Sequence, residues 1–410
     1  MSAAPADPLF SFDAAGLRAA LETLRVALEG GTLPTGAAPQ LLPAQGQAPS
    51  DVLCALAGLA LEPANRFNSA GWFAHMDPPT PWITWAAQAW ISALNQNLLH
   101  PDTGAAGRDV EAQVIAALAP VFGMAGGHMV PGSTVANLTA LWAAREVAGV
   151  TEVVASEHSH LSVAKAAHIL GLGYRSVPCD PFGRMDAGQL GELGNSCLVL
   201  TAGTTSTGSV DRMEPRPEAA WLHVDAAWAG PLMFSGAHRH RLAGLEQADS
   251  VAISAHKWLW QPKDSALALF RNAERAHEAV SFGGAYLAVP NVGVLGSSAA
   301  RAIPLAATLM TMGVEGIVSR LDTCMALAER FADLIEGDGR FELWNRPETG
   351  VIAWRPSRGE PVRLREGLAE RGLHVSQTVI GGAPWLRSVA VHPGIDVDAV
   401  YAAACQLEEE

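Results

Sequence analysis

Lysine is scarce in this chain of 410 residues: of its 27 basic residues only Lys165, Lys257 and Lys263 are lysines, and arginine supplies the rest. Charge is scarce as well, at 17% of residues, and its balance is acidic, with a formal net charge of −14. An acidic chain lacks the clustered cations that nucleic acid or an anionic membrane surface requires, so neither is expected as a partner. Cysteine is sparse and scattered: Cys54, Cys179, Cys197, Cys324 and Cys405 never form a CxxC pair, which argues against a disulfide framework and a zinc site. The first residues, MSAAPADPLFSFDAAGLRAA, have no basic segment leading into an apolar one, so no signal peptide is expected. No uninterrupted apolar run approaches the ~18 residues of a membrane span. What remains is a composition 49% hydrophobic, that of a compact, enzyme-sized, cytoplasmic protein.

Three regions are expected. Residues 1–70 open with FDAAGLRAALETLRVAL, apolar at helical spacing behind an aspartate that can cap it, and continue into a Pro/Gly/Ala-rich extended arm. Residues 71–315 alternate helical segments with short strands such as EVVAS, CLVLTAG, SVAIS and ALALFRN, apolar throughout. That alternation predicts a mainly parallel sheet with helices on both faces. Residues 316–410 read as the end of a long helical connection followed by a smaller α+β unit. No internal repeat is present.

The chemistry is expected at the carboxyl ends of the strands, where open α/β sheets bind ligands. GSTVAN (132–137) opens a helix with free N–H groups and hydroxyls suited to an anion, although a plain helix cap would use the same residues. EHSH (157–160) and TAGTTSTG (201–208) follow strands, and HVDAAWAG (223–230) sets Asp225 among alanines, where a carboxylate needs a partner. SAHKWLWQP (254–262) puts Lys257 between a histidine and a tryptophan. An arginine-rich chain that keeps a lysine there points to work a guanidinium cannot do, such as forming a Schiff base; the alternative is a stem packed on Trp258 or Trp260. A phosphate cradle, an imidazole, a carboxylate and an amine together are what pyridoxal 5′-phosphate (PLP) needs.

HMDPPTPWITWAAQAWISALNQNLLH, PGSTVANLTALWAAR, HLSVAKAA, TAGTTSTGSVD, HVDAAWAG and SAHKW, in that order, resemble the group II PLP-dependent amino-acid decarboxylases, over about residues 70–320. The resemblance implies an α/β fold of the type I, aspartate aminotransferase-like class: a large, mainly parallel-sheet domain plus a small C-terminal α+β domain. It also implies a homodimer with active sites at the subunit interface and the N-terminal arm on the partner. Residue by residue, Lys257 would be the Schiff-base lysine and Asp225 the partner of the pyridinium nitrogen. His160 would stack on the ring, in preference to His158, and Ser133, Thr134 and His256 would hold the phosphate. Thr204 or Thr205, with Ala227, would line the ring, and Asn95 with Gln96 would fall in the active-site wall. Arg387 would bind a substrate carboxylate, unless it is a structural ion pair of the small domain. His128 and Arg301 are further substrate candidates.

One region departs from the family pattern. Where a long loop with a tyrosine is expected, this chain has the short stretch 283–301, GGAYLAVPNVGVLGSSAAR, in which Tyr286 is the only tyrosine. The expected reaction on a small-molecule amino acid is α-decarboxylation; an aminotransferase, or a carbon–carbon or β-elimination lyase, on the same fold is the alternative, with Cα protonated by His160 or Tyr286 if decarboxylation holds. No GxSxG elbow and no complete GxGxxG occurs, and neither HSH (158–160) nor HRH (238–240) has a further ligand at metal-binding spacing, so no metal is expected. A non-enzymatic binding protein on this fold conflicts with the retention of both Lys257 and Asp225.

Overall fold

The computed structural model describes residues 9, 11–33, 41–285, 287 and 291–409, and the chain divides after Phe67 into two compact units. In the first, helix α1 (Ala14–Leu28) starts where Asp13 accepts the N–H groups of Ala15 and Gly16, the cap anticipated from sequence. Helix α2 (Pro49–Ala60) begins inside the stretch expected to be extended, because Pro49 in the first turn and Asp51 behind it are helix-starting residues.

The second unit holds the remaining elements: α3 (Trp82–Leu94), α4 (Pro101–Leu118), β1 (Gly126–Val130), α5 (Ser133–Ala148), β2 (Glu152–Ser156), α6 (Leu161–Leu170), β3 (Gly173–Val177), β4 (Ser196–Thr201), β5 (Trp221–Asp225), β6 (Ser250–Ser254), β7 (Ala266–Phe270) and α7 (Ala273–Ala279). There follow two-residue strands β8 (Ser281–Phe282) and β9 (Asn291–Val292), then α8 (Ala302–Glu336), β10 (Phe341–Leu343), β11 (Val351–Pro356), α9 (Pro361–Glu370), β12 (Ser376–Ile380), β13 (Ala383–Val389) and α10 (Val397–Glu409).

Seven strands form one sheet in the order β1-β7-β6-β5-β4-β2-β3. β6, β5, β4, β2 and β3 pair in parallel, and β7 alone runs against its neighbours β6 and β1. β4, β5, β6 and β7 are buried at every residue, which is why their sequences show no alternation: both faces are covered. The carboxyl ends of β1, β2, β4, β5 and β6 consequently open on one edge. A second sheet, β10-β11-β13-β12, is antiparallel throughout and packs against α9.

Helix α8 joins the two sheets. The expected boundary at 315–316 falls inside it, just past a break at Gly313, whose φ of 60° and ψ of 179° interrupt the helix. By length and composition α8 is apolar enough to cross a membrane, which the count of uninterrupted apolar runs does not detect because Glu315 and Arg320 divide it. Its second half is a core element: Leu321, Cys324, Met325, Ala328, Phe331 and Ala332 are fully buried.

Candidate active site

Five strand ends meet around a cavity of about 310 Å³, a volume suited to a cofactor-sized ligand. After β1 the chain turns through Pro131 and Gly132 into α5; Gly132, at φ 148°, occupies backbone space that a side chain rarely adopts. Because Gly132 offers no side-chain cap, the first-turn N–H groups of α5 at Ser133 and Thr134 face the cavity as anion donors. Thr201 ends β4 and Gly203 follows with φ 93°; a Cβ there would lie 2.7 Å from Trp228 Cδ1. His160 caps α6, accepting the Ser162 N–H on Nδ1 at 3.2 Å.

Asp225, at the end of β5, is buried and held by two donors: Oδ1 accepts the Ala227 N–H at 3.1 Å and Oδ2 accepts Asn137 Nδ2 at 2.9 Å. Lys257 sits in the turn after β6, its N–H on Ser254 O at 3.2 Å. Burial holds its amine below the ordinary lysine range; Asp225 opposes that shift, while Lys263 and Arg387 reinforce it. The tryptophans beside it are anchored to the rest of the fold. Trp258 stacks on Trp228 at 4.0 Å between centroids and donates Nε1–H to Ala390 O, and Trp260 donates to Val391 O.

Two imidazoles of the cavity are held neutral. Burial lowers the pKa of His160, with Asp225 opposing; burial likewise lowers His256 to about 4, and Lys263 and Lys257 add to it. His256 Nδ1–H donates to Ser265 O at 3.0 Å, which leaves Nε2 free toward a ligand. The Thr201 hydroxyl, also lining the cavity, is buried and has no hydrogen-bond partner among the described residues. An anion cradle, a desolvated amine, a seated carboxylate and an unpaired hydroxyl fit PLP.

Most of the residues anticipated from sequence meet here: Ser133, Thr134, His160, Thr205, Asp225, Ala227, His256 and Lys257 all line the cavity. Thr204 does not, because its hydroxyl is turned into its own loop, paired with Thr207 Oγ1 at 2.7 Å and accepting the Ser209 N–H. His128 lines a different cavity, with its Nδ1 3.1 Å from His277 Nε2. Arg301 borders a third with Asp264 and Gln88, and Asn95 is the exposed left-handed C-cap of α3. Gln96 accepts the Gly107 N–H, and Tyr286 lies outside the described residues. Arg387 is buried and, among the described residues, has no carboxylate as a hydrogen-bond partner: it donates to Ser376 Oγ, to Thr205 O and, at 3.0 Å, to His75 Nδ1. Thr201, Gly203, Trp228 and Ser254 were not singled out in the sequence; their position at strand ends was the available signal.

Comparison with known proteins agrees with this geometry. Residues 68–356 match the sequence model of the pyridoxal-dependent decarboxylase conserved domain. The chain is 27% identical over 350 residues to aspartate 1-decarboxylase of Aliivibrio fischeri, covering 70% of this chain and 64% of that protein. It is 29% identical over 406 residues to L-2,4-diaminobutyrate decarboxylase of Rhizobium meliloti, covering 88% and 81%. Its fold matches the solved glutamate decarboxylase domain of diaminobutyrate-pyruvate transaminase and L-2,4-diaminobutyrate decarboxylase from Vibrio parahaemolyticus with a TM-score of 0.84 at 22% identity, over 97% and 95% of the two chains.

Proposed function

Since the chain belongs to the pyridoxal-dependent decarboxylase family, with the type I fold and the PLP-dependent α-decarboxylation of an amino acid that this membership carries, we propose that Lys257 bears the cofactor and that Asp225, His160 and the first turn of α5 hold its other groups. The observation that carries this reading is one cavity shared by the desolvated Lys257 amine, the Asp225 carboxylate and the N-terminus of α5. When bound, the cofactor supplies a sink for the electron pair left at Cα as the carboxyl group departs.

The protein's own groups do the rest. A depressed pKa leaves Lys257 with a larger fraction of free amine, the form that attacks a carbonyl. Asp225, fixed by two donors, keeps a negative charge where the ring nitrogen is to stay protonated. The N–H groups of Ser133 and Thr134 take the phosphate, and a phosphate beside His256 favours a proton on its Nε2. Thr205 and Ala227, which line the cavity, would flank the ring. His160 would lie against it, and with Nδ1 occupied by Ser162, Nε2 would be the nitrogen able to deliver a proton to Cα. Arg387, reaching Thr205 O beside the cavity, binds the substrate α-carboxylate with its remaining N–H groups.

The assembly we propose is a homodimer in the cytoplasm, with the N-terminal arm lying on the partner. Trp82, Trp90 and Leu94 on α3 are 65–70% exposed, and Met310 on α8, which packs against α3, is 86% exposed. A second copy would cover that apolar face. Five free cysteines suit a reducing compartment.

The deciding experiment is mass spectrometry of products from PLP-loaded protein given a panel of L-amino acids that includes aspartate and diaminobutyrate. An amine with matching carbon dioxide is expected. A keto acid or a cleaved side chain would replace decarboxylation by one of the other reactions of the cofactor.

A further inference from the structure

Glu157, His158 and Cys179 form a cluster outside the cavity of Lys257. β2 and β3 are parallel, with Ser156 opposite Val177, so both strands release the chain on the same side. The turn is tied in both directions: the Glu157 N–H donates to Val177 O at 2.8 Å, and the Cys179 N–H donates to Glu157 Oε1 at 2.8 Å. One ligating atom from each of Glu157, His158 and Cys179 lies within 4.8 Å of the others. Sequence spacing gave HSH no partner; strand pairing brings one from beyond β3.

Three observations set this cluster apart from ordinary packing. His158 Nδ1 is buried and, among the described residues, has no hydrogen-bond partner, a costly condition when nothing is bound. Ser156 Oγ organises the other two groups, accepting the His158 N–H at 3.0 Å and lying 3.0 Å from Cys179 Sγ. The surroundings are acidic: the carboxylates of Asp211 and Glu157 both act on Cys179, and a negative field favours a cation. Asp211 is itself buried, accepting the Met185 and Thr201 N–H groups.

We propose that Glu157, His158 and Cys179 bind a thiophilic divalent cation of the zinc class, with the fourth position open to water. Imidazole nitrogen, thiolate sulfur and carboxylate oxygen are the donors that such an ion takes. Metal–ligand bonds of about 2.0–2.3 Å place tetrahedral ligands roughly 3.3–3.7 Å apart, so the cluster closes by about 1 Å on binding, within reach of the exposed Glu157 carboxylate. The step balances simply: the thiol gives up its proton to solvent, a sulfur–metal bond forms, and nothing is oxidised. His158 is two residues before His160, so the cation braces the turn that leads into the cofactor cavity.

The test uses the full-length, PLP-loaded protein, stripped of metal and titrated with zinc chloride. Zinc retained after gel filtration is measured by elemental mass spectrometry, and protons released are read from the dependence of the calorimetric heat on buffer. Because the cofactor itself binds zinc weakly, the readout is the difference between the wild-type protein and the Cys179→Ser and His158→Ala variants, each first shown to keep the cofactor absorbance. One additional equivalent of zinc in the wild type, with about one proton released per ion, is expected; Glu157→Gln should weaken binding about tenfold or more. Independently of any variant, zinc should protect Cys179 from alkylation while Cys54 and Cys405 stay reactive. Equal zinc retention in wild type and both variants, or alkylation of Cys179 that zinc does not slow, overturns the site.

Discussion

Asn137 Nδ2 donates to Asp225 Oδ2 at 2.9 Å, which makes a residue in the second turn of α5 the direct support of the carboxylate in the cavity. The direction of every bond around it follows. With Nδ2 donating, also to Ser162 Oγ, the Asn137 Oδ1 must accept His223 Nε2–H at 3.0 Å. His223 Nδ1 then accepts from Ser250 Oγ, which in turn accepts Trp221 Nε1–H. Burial lowers the His223 pKa to about 4, so this relay is neutral at physiological pH. Ser162, accepting from Asn137, is free to donate to His160 Nδ1 at 2.8 Å. One amide thus positions both the ring carboxylate and the ring histidine.

Replacing Asn137 by leucine strands buried donors and acceptors at His223, Asp225 and Ser162. Stability should fall by about 2–4 kcal/mol, the cost of leaving more than one buried polar group unpaired. Urea unfolding with and without cofactor measures it; a change under about 0.5 kcal/mol, the usual scale of a neutral substitution, would mean that the relay is redundant.

Lys257→Ala should abolish covalent attachment of the cofactor. Borohydride reduction followed by peptide mapping should label residues 254–262 in the wild type alone, and turnover should fall by about 10²–10⁴-fold or more. Lys257→Arg should not restore it, because a guanidinium does not lose its proton.

His128 links stability to pH. Burial, with His277 beside it, holds its folded pKa at about 3, against 6.5 in the open chain. The unfolded state therefore binds the proton first as pH falls: the contribution is present above pH 6.5 and is lost on the way down toward pH 3. At pH 5, 1.5 units below the open-chain value, the loss is about 2 kcal/mol. Denaturant midpoints at pH 7.5 and pH 5 should show it, and His128→Phe should reduce the difference by about that amount, leaving the share owed to His223 and His256. Equal slopes in both proteins would remove His128 as the cause.

Trp82→Glu together with Trp90→Glu should convert the proposed dimer to a monomer. Both side chains project from α3 at 65–70% exposure, and a carboxylate there cannot be buried against a second copy without a partner. Light scattering after gel filtration gives the mass directly; a double variant that stays dimeric would place the interface elsewhere.

Strands buried on both faces are legible as continuous apolar runs, and EVVAS, SVAIS and ALALF lie where the sequence puts them. β1 is not, because Gly126 and Gly127 carry no strand preference of their own and are extended only by pairing with β7. The same division runs through the site. Lys257 and Asp225 were visible because each is costly to bury without a purpose. Thr204 and Thr205 could not be told apart, since neighbouring residues point opposite ways and only the turn decides which hydroxyl faces the cavity. Arg301 and His128 were candidates by nearness in sequence, but α8 and the edge strand β1 carry them to other surfaces. Cys179 gave no sign at all, because its proximity to His158 depends on the register of two strands.

The indole N–H bonds of Trp258 and Trp260, just after Lys257, reach the carbonyls of Ala390 and Val391, at the exit of β13. The amine-bearing turn and the four-stranded sheet are therefore bolted together at two points that are close in sequence on both sides. A hinge that swung this sheet outward to admit a substrate would have to pull both bolts or drag Lys257 with it. The seam is built as a fixed wall, and traffic into the cavity has to pass on its other sides.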